Sequence, residues 1–457
     1  MSSRVAVFAL LAAALAGRPA PSQQPPRAAA TSQLDSVSRA FVAGRQAPGL
    51  SVFVLRGSDT LLLGGYGYAN LEDSVPVSPR TVFRIGSLTK QFTAALVMQL
   101  VQDGRISLDD TIQRFLPSFP TQGHRVTIRH LLTHTSGIRD YTTVGPEWQR
   151  VARLDLPHDS VIALFAARPF DFAPGERFLY DNSGYYLLGM ILERVSGRTY
   201  DRLLGERLSG PLGLAGTLYC FTRPLIARRA QGYSRAGDGF VNSEQRSMVL
   251  PFAAGGMCST APDMVAWTRA LWAGHVVQPA GLTAMTTSGR LASGTPTGYG
   301  FGLAIDSLEG HLRVSHGGGI SGFTGSVAHF PADSLTVAVL DNSGDANASR
   351  LATQLARVAL GVPLPVVRNL ALSAAERALY VGDYSVGPMT VRVREEGGRL
   401  TAQAPGRGTF GLLAQGRHVF VASYDEDVRF EFQVAGERAT GFTLYSGGMV
   451  NRATRAN

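Results

Sequence analysis

The sequence predicts an α/β (α+β) fold followed by a separate all-β module, on three observations. Between Gln33 and Leu360, stretches of helical period alternate with short strand-like runs. From Ala375 to Asn457 the texture is strand throughout. Between them lies "GVPLPVVRNLAL", whose two prolines break both patterns.

In chain order, Arg4 followed by the apolar run "VAVFALLAAALA" and the small residues Ala14-Leu15-Ala16 reads as a signal peptide, residues 1–16. The run is short for a bilayer span, although an uncleaved anchor is the alternative. No cysteine follows it that would take a lipid. Residues 17–32, rich in Pro, Ala and Gln, read as a flexible lead-in. "LSVFVLRGSDTLLLGGYGYAN" is a strand hairpin turning at Gly57-Ser58-Asp59. "KQFTAALVMQLVQDG" is a buried helix stopped by Asp103-Gly104, and "YYLLGMILERVSG" is a second helix ending at Gly197. "APDMVAWTRALWAG" is a third, capped by Ser259 or Thr260. This first domain spans 33–360, and 361–374 is a linker. In the module 375–457, "MTVRVREEGGRLTAQ" and "VRFEFQVAGERATGFTLY" are strand pairs of a small barrel.

Composition excludes several functions. The chain has 457 residues, 45% of them hydrophobic, so it buries a sizeable core. Its net charge of +9 comes from arginines scattered singly, with no basic run and no nucleic-acid motif. The nine histidines show no metal-ligand spacing, and no P-loop or dinucleotide fingerprint is present. No metal or cofactor is expected. Cys220 and Cys258 could pair outside the cytoplasm or remain two buried thiols.

One residue stands apart. Lysine and arginine together number 43, yet only Lys90, in "FRIGSLTK", is lysine. Arginine does not lose its proton in a protein, whereas a buried lysine does. Lys90 follows Ser87 by three positions at the start of an apolar helix, which puts both side chains on one face. A serine at a helix N-terminus beside an amine suits an activated nucleophile. Ser87 as a plain N-cap is the simpler alternative. In "PGERFLYDNSGYYLLG", Tyr180 offers a phenol for a proton relay, and Asn182 an amide that orients a substrate carbonyl and holds the lysine. In "VSHGGGISGF", His316 leads Gly317, Gly318 and Gly319 along an edge strand, where a substrate backbone can approach closely. The amides of Ser87 and Gly319 could form an oxyanion hole.

Ser87-Leu88-Thr89-Lys90, Tyr180-Asp181-Asn182 and His316-Gly317-Gly318, in this order, resemble the penicillin-recognising serine hydrolases, in the class C β-lactamase, D-alanyl-D-alanine carboxypeptidase and esterase branch. "VTIRHLLTHTSGI", "PLGLAGT", "AAGGMCSTAPDMVAW" and "YGFGLAI" extend the resemblance over 33–360, and the C-terminal module is similar to lipocalin-like domains. The resemblance implies an antiparallel sheet flanked by helices, an all-helical region near 90–200, and a cleft between them. It implies that Ser87 is acylated, that Lys90 and Tyr180 move the proton, and that Asn182, His316, Gly317, Gly318 and Gly319 bind substrate. Histidine where β-lactamases carry lysine, and glycine where they carry a hydroxyl, favour a small-peptide or amide substrate with a D-residue, or an ester, over a β-lactam.

Other residues have plainer readings. His130 and His134 brace turns, Tyr185 and Tyr186 pack, Trp267 and Trp272 are core, and Glu176 belongs to a turn rather than to a glycosidase carboxylate pair with Asp181. Tyr141 borders the cleft or packs beside it. A non-catalytic peptidoglycan or peptide binder is the alternative from another class, and it has no use for the single lysine at this position. The barrel binds a ligand, shields the cleft or mediates oligomers. If it shields the cleft, a chain ending near Leu360 accepts larger substrates.

Overall fold

Runs of β-branched and aliphatic residues between turn signals form the strands Gly49–Arg56 and Asp59–Asn70, which turn at Gly57 as its positive φ of 55° requires. In this computed structural model, which describes residues 27–386, 389–404, 408–446 and 449–456, that hairpin is part of a seven-stranded antiparallel sheet. The spatial order is Val75–Pro76, Asp59–Asn70, Gly49–Arg56, Leu335–Asp341, Phe323–Phe330, His311–Ile320, Ala304–Leu308. First and last parts of the domain thus meet at its centre, where Gly49–Arg56 pairs with Leu335–Asp341. The signal-peptide segment lies outside the described residues. The lead-in is helical from Arg27: helix Arg27–Ala43 starts on an alanine run and buries Ala30 and Leu34 against the sheet. Among the described residues, no helix is long and apolar enough to cross a membrane.

Helices cover both faces of the sheet. Helix Ala348–Leu360 and helix Arg27–Ala43 close one face, burying Leu351, Leu355 and Val358 with Leu34. Helix Ala261–Trp272, capped by Thr260, packs on the other. Beyond it stands the helical region, with no strand between Phe83–Arg84 and Leu218–Tyr219. At its centre helix Thr89–Gln102 is buried on nearly every side, and most of its buried polar atoms find partners, Gln91 Nε2 and Gln99 Oε1 excepted. Trp267 Nε1 donates to Gln91 Oε1 at 2.7 Å, and Thr93 Oγ1 lies 2.8 Å from the Tyr200 hydroxyl. Cys220 and Cys258 are joined as a disulfide between Leu218–Tyr219 and Met257–Ser259. It closes a sequence separation of 38 residues, worth about 4 kcal/mol in the loop-entropy account.

The C-terminal strands close into an eight-stranded barrel. Gly397 and Gly398, both at positive φ, make the turn between Met389–Glu396 and Arg399–Gln403. Its interior is filled by Tyr384, Phe420, Phe430, Phe432 and Phe442, with Phe432 and Phe442 centroids 5.2 Å apart. The barrel docks on helix Ala348–Leu360 through polar groups spaced along one helical face. Arg350 and Gln354 share the carboxylate of buried Glu426, and Arg357 bonds Asp427 at 2.8 Å and Glu309 at 3.1 Å. Glu426→Ala leaves Arg350 and Gln354 without their common acceptor, at a cost on the order of 1–3 kcal/mol. Faster trypsin cleavage at Arg368, in the connecting segment, is the expected result; an unchanged rate would show that the seam does not depend on this carboxylate.

Candidate active site

Strand Phe83–Arg84 pairs with Met257–Ser259 and leads into a 3-10 turn, Gly86–Leu88, before helix Thr89–Gln102 begins. Gly86 sits at φ 50°, and a Cβ there would stand 2.8 Å from the backbone N and O of Gly319. A Cβ on Gly318 would stand 2.0 Å from the carbonyl oxygen of Ile85. These two glycines let the turn that carries Ser87 press flat against strand His311–Ile320. Strand Ala304–Leu308 pairs only with residues 311–315, so on that side the 316–320 stretch has no strand partner among the described residues.

Lys90, the second residue of the helix and three positions after Ser87, is fully buried. Its Nζ lies 3.1 Å from Ser87 Oγ, 2.8 Å from Asn182 Oδ1 and 2.9 Å from the carbonyl oxygen of Ala254. The two carbonyl oxygens only accept. In a neutral amine they take both protons and leave the lone pair facing the Ser87 hydroxyl. Burial pulls the Lys90 pKa down to about 7, against the opposing pull of Asp140 and Asp181.

Asn182 is held in the orientation this requires. Its Nδ2 and its backbone N–H both donate to Asp140 Oδ2, at 3.0 and 3.1 Å. The other Asp140 oxygen accepts from the backbone and hydroxyl of Thr142, both at 2.8 Å. Asp181 caps helix Asn182–Ser196, which Asn182 opens, accepting from the Gly184 N–H at 2.5 Å; burial pushes its pKa up to about 7.

The Tyr180 ring lies under the amine, its centroid 4.7 Å from Lys90 Nζ. Its hydroxyl is buried and makes no hydrogen bond of ordinary geometry, although Ser87 is near enough to favour the phenolate. Burial outweighs that and drives the phenol pKa well up, so it stays protonated. His134 stacks on Tyr180 at 4.2 Å and accepts the Asp181 N–H at 3.2 Å, which is a bracing role. His130 completes a capping box with Thr127.

The cleft above Ser87 has a volume of about 240 Å³. Ser87, Asn182 and Gly319 line it, with Tyr141, Trp148, Ala152 and Pro251 as an apolar wall and Arg246 on the rim. Tyr141 therefore borders the cleft, anchored by its hydroxyl on the Leu250 carbonyl at 2.8 Å. His316, Gly317 and Gly318 are not among the lining residues. The His316 ring is buried, with Nδ1 2.5 Å from the Gly317 carbonyl and Nε2 2.9 Å from the Tyr299 hydroxyl. Burial and the Lys90 charge bring its pKa down to about 3, so the ring is neutral. Gly317 faces the opposite side of the sheet, where a Cβ would stand 3.0 Å from Ser349 Oγ. Among the described residues, no barrel residue lines the cleft, which gives the shielding expectation no support. Sequence reading missed Gly86, Asp140, Ala254 and Arg246. Only Gly86, beside the serine, had a local signal; Ala254 acts through a backbone oxygen that any residue supplies.

A family model described as Beta-lactamase matches residues 34–360. A penicillin-binding protein of Bacillus subtilis (strain 168) is 28% identical over 433 residues, covering 89% of this chain and 94% of that one. A D-aminopeptidase of Gluconobacter oxydans (strain 621H) is 28% identical over 353 residues; the match takes in 74% of this chain and 64% of that longer relative. Among solved structures, the octameric penicillin-binding protein homologue from Pyrococcus abyssi is 28% identical, with a TM-score of 0.66, covering 93% of this chain and 99% of that one.

The close approach of Gly86 to Gly319 is directly testable. Gly86→Ala places a Cβ against the strand backbone in a left-handed conformation, at a cost on the order of 1–3 kcal/mol. The expected outcome is a folded protein whose Ser87 reacts with a fluorophosphonate far more slowly. Wild-type reactivity would mean that the approach is not needed.

Proposed function

Because the chain belongs to the Beta-lactamase family, we propose that it is a serine hydrolase working through an acyl-enzyme at Ser87. The observation that carries this reading is the 3.1 Å contact between Ser87 Oγ and the amine of Lys90, whose other two partners are acceptors only. Lys90 takes the serine proton as Ser87 attacks the substrate carbonyl. Tyr180, held protonated, passes a proton toward the leaving group, and the relay runs in reverse when water attacks the acyl-enzyme. The amides of Ser87 and Gly319 receive the oxyanion. Asn182 serves chiefly to hold the lysine, since its Nδ2 is engaged by Asp140. His316 supports Tyr180 from behind, and the open 316–320 edge accepts an extended substrate backbone.

The substrates are small peptides or amides with a D-residue. The D-aminopeptidase named above supports this, as does a cleft too small for a folded protein chain. Esters come next. A β-lactam is third, because neutral His316 offers its carboxylate no charge. The enzyme is exported, periplasmic or secreted: the N-terminal segment has signal-peptide character, and the buried disulfide suits an oxidising compartment. The hydrolase unit is 33–360 and the barrel unit 375–457, joined by 361–374.

Intact mass after a fluorophosphonate tests the reading: stoichiometric labelling of the wild type, and none in Ser87→Ala. A lasting penicillin adduct then marks a peptidase, rapid loss of the adduct a β-lactamase, and phosphonate labelling alone an esterase. No labelling of a folded wild type favours the non-catalytic binder.

The pH profile tests Lys90. Its lowered pKa means the cation dominates below about pH 7 and the free base above it. Labelling is expected to fall about tenfold per unit below that point and level off above it. Lys90→Arg, permanently charged, is expected to lose roughly 10²–10⁴-fold. A flat profile from about pH 5 to 9 would remove Lys90 from the role of base.

A further inference from the structure

Resting on the acyl-enzyme reading, we propose that Arg246 selects substrates carrying a carboxylate, and that a free ammonium group is disfavoured in this cleft. The lining residues of the Ser87 cleft include one charged side chain, Arg246, and no Asp or Glu. The nearby carboxylates are engaged elsewhere. Asp140 is taken by Asn182 and Thr142, and Asp155 by the Ser247 hydroxyl at 2.6 Å. A substrate ammonium therefore meets no free anion at the cleft wall.

Arg246 itself is incompletely satisfied. Its Nε is buried without a hydrogen-bond partner, and its sole ion-pair contact among the described residues is Glu244, at 3.6 Å. Glu244 divides its carboxylate: Oε1 accepts from Arg153 Nε at 3.1 Å and Nη2 at 2.5 Å, and Oε2 is the oxygen 3.6 Å from Arg246 Nη2. A guanidinium presents five donors in a planar fork that matches a carboxylate. Here that fork lines the cleft, engaged among the described residues only by the loose contact of Nη2 with Glu244.

The backbone that holds it is fixed on both sides. Ser247 N–H donates to the Ala152 carbonyl at 2.9 Å, and the Ser321 hydroxyl donates to the Glu244 carbonyl. The segment thus bridges the apolar wall and the end of strand His311–Ile320, so Arg246 is positioned before substrate arrives. A substrate that fits places its reacting carbonyl at Ser87, an apolar group on Trp148 and Pro251, and its carboxylate on Arg246. The carboxylate belongs either to the acyl portion or to the leaving amine.

Two matched pairs separate these sources. For the acyl side, N-succinyl-D-alanine p-nitroanilide is compared with the N-acetyl analogue, and the free-amine D-alanine p-nitroanilide is run beside them. For the leaving side, the p-aminobenzoate amide of acetyl-D-alanine is compared with its anilide. Wild type, Arg246→Gln and Arg246→Glu are assayed as whole chains, with near-ultraviolet circular dichroism to establish folding. In at least one pair the anionic member is expected to have a kcat/KM higher by roughly tenfold or more, expressed in KM. That ratio should fall toward one in Arg246→Gln and below one in Arg246→Glu. Calorimetric binding of the same compounds to Ser87→Ala reads the preference without turnover. Equal ratios in wild type and Arg246→Gln, or a wild type that prefers the free amine, overturn the proposal. Wild type that turns over and labels at Ser87 without charge preference sinks this inference alone; absence of labelling sinks the acyl-enzyme reading instead.

Discussion

A fully buried lysine amine, surrounded by two carbonyl oxygens and a serine hydroxyl, is the constraint on which the rest of this structure depends. An ammonium ion removed from water is costly, and the nearest carboxylates lower that cost only in part. Burial makes its proton easy to lose, and in the neutral amine Asn182 and Ala254 use the remaining hydrogens. Each of these acceptors is itself held by structure further out. Asn182 is turned by Asp140, which is fixed by Thr142. The Ala254 carbonyl comes from the helical turn Phe252–Gly255, just before the strand that carries the disulfide. A chain that otherwise uses only arginine keeps one lysine here because no arginine can become neutral.

The second requirement is distance. Ser87 must meet the edge strand closely enough for two backbone amides to converge, and side chains at the contact prevent that. Gly86 and Gly318 remove them, at positions where a Cβ would stand 2.8 and 2.0 Å from the opposing backbone. The glycines in "HGGG" are therefore unlike one another. Gly318 yields space to the Ile85 carbonyl, Gly319 lines the cleft, and Gly317 serves the opposite face against Ser349. Alternation along a strand separates Gly317 from Gly318, since adjacent residues face opposite sides, whereas Gly319, at the end of the strand, meets the cleft with its backbone alone.

That distinction marks the limit of what was legible in the sequence. Patterns that repeat were readable: the hairpin at Gly57, the helix stop at Gly104, the Thr260 cap and the Gly397-Gly398 turn all stand where periodicity and turn chemistry put them. Ser87 and Lys90 were readable because three residues is a helical spacing. Tyr180 and Asn182 were proposed from the chemistry of their side chains beside a helix start and then from resemblance, since the packing that brings residue 182 to residue 90 leaves no trace in spacing. Asp140 and Arg246 were not legible at all. Each lies in an irregular segment whose path is decided by distant partners. The helical start at Arg27 was missed because alanine and proline composition suggested a flexible lead-in, while the docking of Leu34 on the sheet decided for a helix.

The barrel shows the same dependence on long-range contacts. Closed barrels suggest a ligand cavity, but eight strands enclose room only for side chains unless small residues leave space. Here aromatic rings fill it. What the barrel presents outward is the acidic run Asp425-Glu426-Asp427, and helix Ala348–Leu360 presents Arg350 and Arg357 toward it. The other face of that helix closes the central sheet, and Ser349 near its start packs under Gly317, two residues before Gly319. The described barrel residues therefore meet the hydrolase domain behind the cleft, through one helix and one strand. The cleft itself is lined by residues of the hydrolase domain, Tyr141, Trp148, Pro251 and Arg246 among them.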